Sequence, residues 1–473
     1  MFLMKIINIK QRYLMQKKNI KNKGRHILNI APAKMLVLSF AILIFTGAVL
    51  LSMPFSSRSG EWTPFINSLF TSTSASCITG LVVYDTYTYW SIIGQIIILC
   101  LIQIGALGII TLATFFSILL RKKVGLKGMI LAQESINFFS YTDILRLIRK
   151  IVAVTFLIEF IGALILSSTF VPQFGAIGLY MGVFHSISAF CNAGFDITSA
   201  AIDGTFVSIT PFNNNPIVIY TISALIIIGG LGFSVWRDLY DYKKNRQLMF
   251  HTKLVLFITA TLLISGTLMF FFTEFSNPKT MGPMNIFEKI NASFFQSTAA
   301  RTAGFNSINL NDMKEISKVF TVFLMFVGAA PGSTGGGVKV TTMGVLIMAV
   351  FSNIRGSGDI VIFKRKIHQL TVNKALSITG LSAILVIVIT TVIVSLQSNF
   401  HFLDILYETT SAFGTVGLTL GATTSLNTVS KLLIILTMFL GRVGPLSFAV
   451  ALTLKSSKRT SELVYPEAKI LVG

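Results

Sequence analysis

Four short stretches of this chain carry the same chemistry. Ser-Ala-Ser-Cys-Ile-Thr-Gly-Leu runs from Ser74 to Leu81, and Ser-Ala-Phe-Cys-Asn-Ala-Gly-Phe from Ser188 to Phe195. Ser-Thr-Ala-Ala-Arg-Thr-Ala-Gly-Phe runs from Ser297 to Phe305, and Ser-Ala-Phe-Gly-Thr-Val-Gly-Leu from Ser411 to Leu418. Each offers small or hydroxyl residues, then a glycine, then a large apolar residue. Gly80, Gly194, Gly304 and Gly417 are separated by 114, 110 and 113 positions. A long period this regular marks an internal repeat. Four copies imply four similar units around one axis. A cation leaving water needs its hydration shell replaced, and backbone carbonyls do this when they ring a narrow path. Glycine permits the dihedrals that aim carbonyls at one axis. The candidate ion-binding backbone is therefore that of the four glycines and their flanking residues: Ile78, Thr79, Gly80, Ala193, Gly194, Ala303, Gly304, Val416 and Gly417. The competing reading is four ordinary turns between apolar helices. It does not explain why each glycine follows a half-length apolar segment and precedes a full one.

The elements that must position these glycines are membrane helices. Of the 473 residues 53% are hydrophobic and only 12% charged, whereas soluble domains are nearer a quarter charged. Runs 35–53, 91–120, 215–236, 254–273 and 375–396 lack charged residues, and 432–454 has only Arg442. About 20 apolar residues cross a bilayer. The half-length segments 62–78, 180–191, 286–298 and 402–412 fit helices that enter and turn back. Their C-terminal ends would point partial negative charge at a cation. The architecture expected is an all-α membrane protein of four tandem helix–pore loop–helix repeats around one pseudo-fourfold pore, with eight transmembrane helices.

The repeats are read as 35–123, 147–246, 252–355 and 373–459, between a basic N-terminal segment, 1–34, and a tail, 460–473. The net charge of +21 sits mostly beside the ends of every second span, for example at Arg121, Lys122, Lys123 and Lys127. The positive-inside rule explains this better than nucleic acid does, and places both termini in the cytoplasm. The opposite side carries Glu61, Asp85, Asp196, Asp203, Glu274, Glu288, Asp312, Glu315, Asp404 and Glu408, and acids at an outer mouth would concentrate cations. Cys77, Cys100 and Cys191 lie in apolar or repeat segments, with no disulfide framework or metal-ligand spacing. The five histidines form no catalytic constellation, so an enzyme is not expected.

Repeat three is interrupted by Gly328-Ala329-Ala330-Pro331-Gly332-Ser333-Thr334-Gly335-Gly336-Gly337-Val338-Lys339. Each glycine weakens a helix by about 1 kcal/mol and a proline by about 3, so a continuous helix is not expected there. Polar backbone at membrane depth must line a cavity. A loop lying across the path below the glycines would gate it, with Gly328, Pro331, Gly332, Ser333, Gly335, Gly336, Gly337 and Lys339 as its working residues. The spacing does not match a phosphate-binding loop; a rigid packing kink is the plain alternative. Arg442 sits at the equivalent level of repeat four. It is either a barrier or latch beside the loop or half of a buried pair, with Glu159 as one candidate partner. Arg301, just before the third glycine, either tunes the outer mouth or forms a salt bridge that braces its loop.

These features together resemble the Trk/Ktr/HKT superfamily of potassium transporters, and within it the KtrB-like membrane subunits. The resemblance covers nearly all of residues 35–473. It implies potassium uptake across the bacterial plasma membrane by a multi-pass homodimer with one pore per subunit. Potassium would be bound at Gly80, Gly194, Gly304 and Gly417, gated at Gly328–Lys339, and Arg442 would be the pore arginine. Sodium is implied as an activating ion. ATP, ADP or NAD would act only through a cytosolic nucleotide-binding ring, KtrA-like or KtrC-like, because this chain has no nucleotide-binding domain. The second reading is a tightly coupled sodium or proton symporter; Glu159 is the only clear mid-span acid it could use.

Overall fold

The computed structural model describes residues 32–108, 144–202, 204–356, 359–363 and 365–444, with 111, 112, 114, 115 and 117. The N-terminal basic segment up to residue 31, the cluster Arg121–Lys127, the expected end of repeat four beyond 444 and the tail lie outside the described residues.

The described chain is helical apart from a small antiparallel hairpin, β1 (Val361–Ile362) with β2 (Arg365–Lys366). Four long helices are apolar enough to cross a bilayer: α1 (Pro32–Ser52), α4 (Ile144–Phe174), α8 (Phe250–Glu274) and α12 (Gln369–Leu396). Even the shortest, the 21-residue α1, is about 32 Å long at 1.5 Å per residue, enough for the ~30 Å hydrocarbon core. Each is followed by a short helix: α2 (Phe65–Ser76), α5 (Ala176–Phe190), α9 (Ile286–Ala299) and α13 (Phe402–Gly414). Small residues let the pairs approach closely. Ser72 Oγ donates to Ile44 O at 2.7 Å, Ser186 Oγ to Glu159 O at 2.6 Å and Ser297 Oγ to Leu263 O at 2.9 Å. Thr390 and Thr409 hydroxyls meet at 2.5 Å in the fourth pair. A Cβ on Gly47, Gly162 or Gly266 would strike the serine opposite. This is the small-residue packing that membrane helices use in place of a hydrophobic driving force.

The returning helices differ from the expected full spans. Instead of 91–120 unbroken, α3 (Ile92–Leu107) stops at Gly108. Instead of 216–236 unbroken, α6 (Pro216–Leu231) ends at Gly232, and α7 (Phe233–Asn245) leaves at 95° to it. In repeat four α14 (Thr428–Val443) stops at Gly444. The three glycines take φ of +79°, +91° and +90°, a left-handed conformation a right-handed helix cannot propagate. In repeat three α10 (Glu315–Phe326) and α11 (Val340–Ile354) flank the break expected from its glycines. Among the described residues, four helices, or five with the bent pair, are long and apolar enough to span.

Candidate functional site

The four glycine segments follow directly from the C-terminal ends of α2, α5, α9 and α13, and they close a ring. Gly80, Gly194, Gly304 and Gly417 have φ between +70° and +93°, so a side chain there is strained. Space is equally restrictive. A Cβ on Gly80 would lie 2.5 Å from Ala193 O, one on Gly194 2.6 Å from Ala303 O, and one on Gly304 2.7 Å from Val416 O. A Cβ on Gly417 would strike Thr79 O, which returns the sequence of contacts to the first segment. Each glycine therefore packs against the carbonyl of the residue before the next glycine. Thr79, Ala193, Ala303 and Val416 are the carbonyl bearers, and all are buried.

Two residues ahead of each glycine stands a second left-handed residue: Ile78 at φ +59°, Asn192 at +60°, Thr302 at +84° and Thr415 at +50°. Non-glycine residues at positive φ are costly and gather at functional sites. The sequence reading included only Ile78; the other three were legible from their common offset within the repeat. Serines of the short helices hold this shape in the first and fourth segments. Ser74 O accepts from Thr79 N at 2.7 Å while its Oγ accepts from Gly80 N at 3.0 Å. Ser411 does the same for Val416 N at 2.9 Å and Gly417 N at 3.0 Å.

The loop 328–339 lies under this ring. Gly336 N donates to Thr415 Oγ1 at 2.9 Å, and the Thr334 hydroxyl meets the Asn192 side chain at 3.2 Å. A Cβ on Gly335 would lie 2.6 Å from Thr302 Oγ1. The loop thus touches the feet of segments two, three and four. It is tied outward as well. Ala330 N donates to Gly230 O at 3.1 Å, Gly337 N to Gly441 O at 3.3 Å and Phe233 N to Gly332 O at 2.9 Å. Within it, Gly328 N donates to Val338 O at 2.9 Å, Ser333 Oγ to Ala330 O at 2.6 Å and Lys339 Nζ to Gly335 O at 2.7 Å. Pro331 O packs 2.7 Å from where a Cβ on Gly232 would stand.

Arg442 completes the level. It does not pair with Glu159. Its Nη1 donates to Thr334 O, and its Nη2 donates to Gly105 O at 2.6 Å and weakly to Ala106 O at 3.5 Å. The carbonyls of Gly105 and Ala106 lie in the last turn of α3, so the cation meets the negative end of a helix dipole. Glu159 instead accepts from Gln103 Nε2 at 3.0 Å and lies 3.7 Å from Cys191 Sγ. Arg301 is buried with Nε unpartnered, and no salt bridge is recorded for it among the described residues.

Several of the outer acids are engaged by groups of the outer loops. Asp85 accepts from Tyr87 N, Thr88 N, Ser199 Oγ and Phe206 N. Glu274 binds Asn277, Thr280, Ser317 and Lys314 N. Glu408 binds Thr419, Leu420 N and Thr423, and Glu288 closes a capping box with Asn285. Loop carboxylates satisfy backbone N–H groups that would otherwise be orphaned. Asp196 differs: burial, and then the charge of Asp85, raise its carboxyl to about 7.

The sequence profile of the TrkH family, described as cation transport proteins, matches residues 2–462. The chain belongs to this family. The potassium/sodium uptake protein NtpJ of Enterococcus hirae is 37% identical, over 95% of this chain and 99% of that protein. The Ktr system potassium uptake protein B of Bacillus subtilis is 39% identical, over 96% and 99%. The crystal structure of the potassium transporter TrkH from Vibrio parahaemolyticus shares the fold, with a TM-score of 0.66 over 88% of this chain and 84% of that one, at 17% identity. This TrkH-family chain is thus a membrane protein of the Trk/Ktr cation-transporter group and not an enzyme.

Proposed function

We propose that this chain takes up potassium through a channel-like pore whose selectivity filter is the four-glycine ring and whose gate is the loop 328–339. The observation that carries this reading is the closed cycle of contacts from Gly80 through Gly194, Gly304 and Gly417 back to Thr79. It gives four carbonyl-bearing segments one common axis, the arrangement that replaces an ion's hydration shell. The loop's position beneath three of the four segments, with Arg442 pinning it to α3, supports a gate. Four similar units support eight spans with both termini inside. The relatives' names support potassium as cargo and bring in sodium, here taken as an activating ion. A homodimer in the bacterial plasma membrane, controlled through a cytosolic nucleotide-binding subunit, follows from the family resemblance.

The test is potassium uptake in cells stripped of their own uptake systems. The account expects wild-type uptake, and faster uptake when residues 332–337 are deleted. No potassium uptake by the wild type would overturn it. A tightly coupled symporter would have to use Glu159, whose carboxylate is committed to Gln103 behind the ring.

A further inference from the structure

We infer that the C-terminal turn of α7, together with the first turns of α4, is a docking surface for anionic phospholipid headgroups, and that its occupancy is felt by the loop beneath the glycine ring. The 95° turn at Gly232 lays α7 across the direction of α6, so it runs along the membrane surface when α6 runs through it. The 31 residues of α4 are about 46 Å long against a ~30 Å hydrocarbon core, which leaves its first turns at headgroup depth.

Those two places present one basic patch. Arg146, Arg149 and Lys150 of α4 are exposed, as are Lys243, Lys244 and Arg246 at the end of α7. Lys150 Nζ stands 5.4 Å from the Tyr240 ring, which joins the two groups. Two acids of the described α7 are engaged elsewhere. Asp238 is buried and accepts from Met249 N at 2.8 Å, and Asp241 lies 3.6 Å from Arg237 Nε. Exposed Leu239, Tyr240, Tyr242 and Met249 stand among the cations. Amphipathic aromatic rings mixed with lysine and arginine are the composition of a surface seated at headgroup level. Clustered cations there attract anionic lipid. On the other side of α7, Phe233 and Trp236 pack against Leu147, Ile148, Ile151 and Val152 of α4.

The same short helix begins at the loop. Phe233 N donates to Gly332 O at 2.9 Å, and Val235 packs with Ala330 and Val340. A headgroup that fixes the end of α7 therefore fixes a helix whose first turn holds the loop.

The experiment uses the full chain in vesicles of phosphatidylcholine alone, or of equal parts phosphatidylcholine and phosphatidylglycerol. Acylation of Lys243 and Lys244 by a water-soluble reagent is followed by peptide mass spectrometry. The expected result is acylation slowed about five-fold or more by phosphatidylglycerol, and restored by about 0.5 M salt. Equal rates in both vesicles, or protection only after a cytosolic protein is added, would overturn the lipid assignment. In a second arm, potassium flux should respond to phosphatidylglycerol in the wild type and not in K243Q/K244Q/R246Q, with the two equal in phosphatidylcholine. A response retained by the triple variant would overturn the link to the loop. Only this second arm rests on the permeation reading; lysine protection stands or falls without it.

Discussion

The glycine ring and the level just beneath it are built from the same four repeats and treat that repetition in opposite ways. In the ring the four units are nearly interchangeable: one left-handed residue, one carbonyl bearer, one left-handed glycine, four times over. Beneath it three returning helices stop at single glycines, the third unit inserts twelve residues, Gly328–Lys339, and the fourth supplies an arginine. Near-equivalence suits a site that must present carbonyls from all sides. Asymmetry suits a part with two arrangements, because one loop can leave its place while the other three units hold theirs. On this account the repeat is kept where the ion is bound and broken where passage is controlled.

The largest effect should come from breaking the ring. Gly194→Ala puts a methyl 2.6 Å from Ala303 O and 2.7 Å from Gly304 Cα, well inside contact distance, while forcing alanine to φ +70°. Potassium uptake should fall by about 100-fold or more, since the neighbouring carbonyl bearers are backbone and must shift; a loss of two or more orders is ~3 kcal/mol of transport barrier. Gly60 provides the comparison. It has φ +71° with nothing near its Cβ, so Gly60→Ala should cost only the ~1–2 kcal/mol of left-handed strain and leave uptake intact. Equal damage from both, measured as initial uptake rate at matched membrane abundance, would mean that strain, and not the ring, explains the effect.

Next comes the arginine. Arg442→Gln removes charge-assisted bonds to Thr334 O and Gly105 O. Hydrogen bonds to charged groups contribute about 1.5–3 kcal/mol, so the open-to-closed ratio should rise by about 10-fold or more. Unstimulated flux from proteoliposomes should rise accordingly, and a fall would contradict the latch. Gly335→Ala should act in the same direction but more weakly. Its methyl would press on Thr302 and Ala329 and push the loop off its seat, a few-fold gain in flux for ~1 kcal/mol of overpacking.

The smallest effect is expected at Glu159. Glu159→Gln keeps the size and a hydrogen bond to Gln103, so uptake should change less than about two-fold, which is under 0.5 kcal/mol. Loss of uptake, with the protein still folded by its melting curve, would move the coupled-symporter reading forward.

Much of the ring was legible in the sequence, because its signal repeats at a period of about 110 residues and falls between half-length and full-length apolar segments. The level beneath was less so. Gly105-Ala-Leu-Gly108, Gly229-Gly-Leu-Gly232 and Gly441-Arg-Val-Gly444 recur there, yet each lies inside an apolar run that reads as one helix. The first glycine of each lets the helix approach the end of the preceding short helix, at Ser76 O, Phe190 O and Phe413 O, and the second stops it. The partners of Arg442 are carbonyls, which leave no mark on the sequence, so its choice between latch and ion pair needed coordinates. The outer acids are ambiguous in sequence for a related reason. Composition does not separate a carboxylate facing a pore mouth from one capping a loop, and Asp85, Glu274 and Glu408 are of the second kind.

The most direct test of the ring as a selectivity filter is the ability of sodium to compete with radioactive rubidium uptake, in wild type and in Gly304→Ser. A Cβ at Gly304 would lie 2.7 Å from Val416 O and 2.9 Å from Gly194 Cα, so the serine must displace two neighbouring segments. The account predicts that sodium, a poor competitor in the wild type, competes effectively in the variant at reduced overall uptake. Unchanged competition with uptake preserved would contradict it and place selectivity elsewhere in the chain.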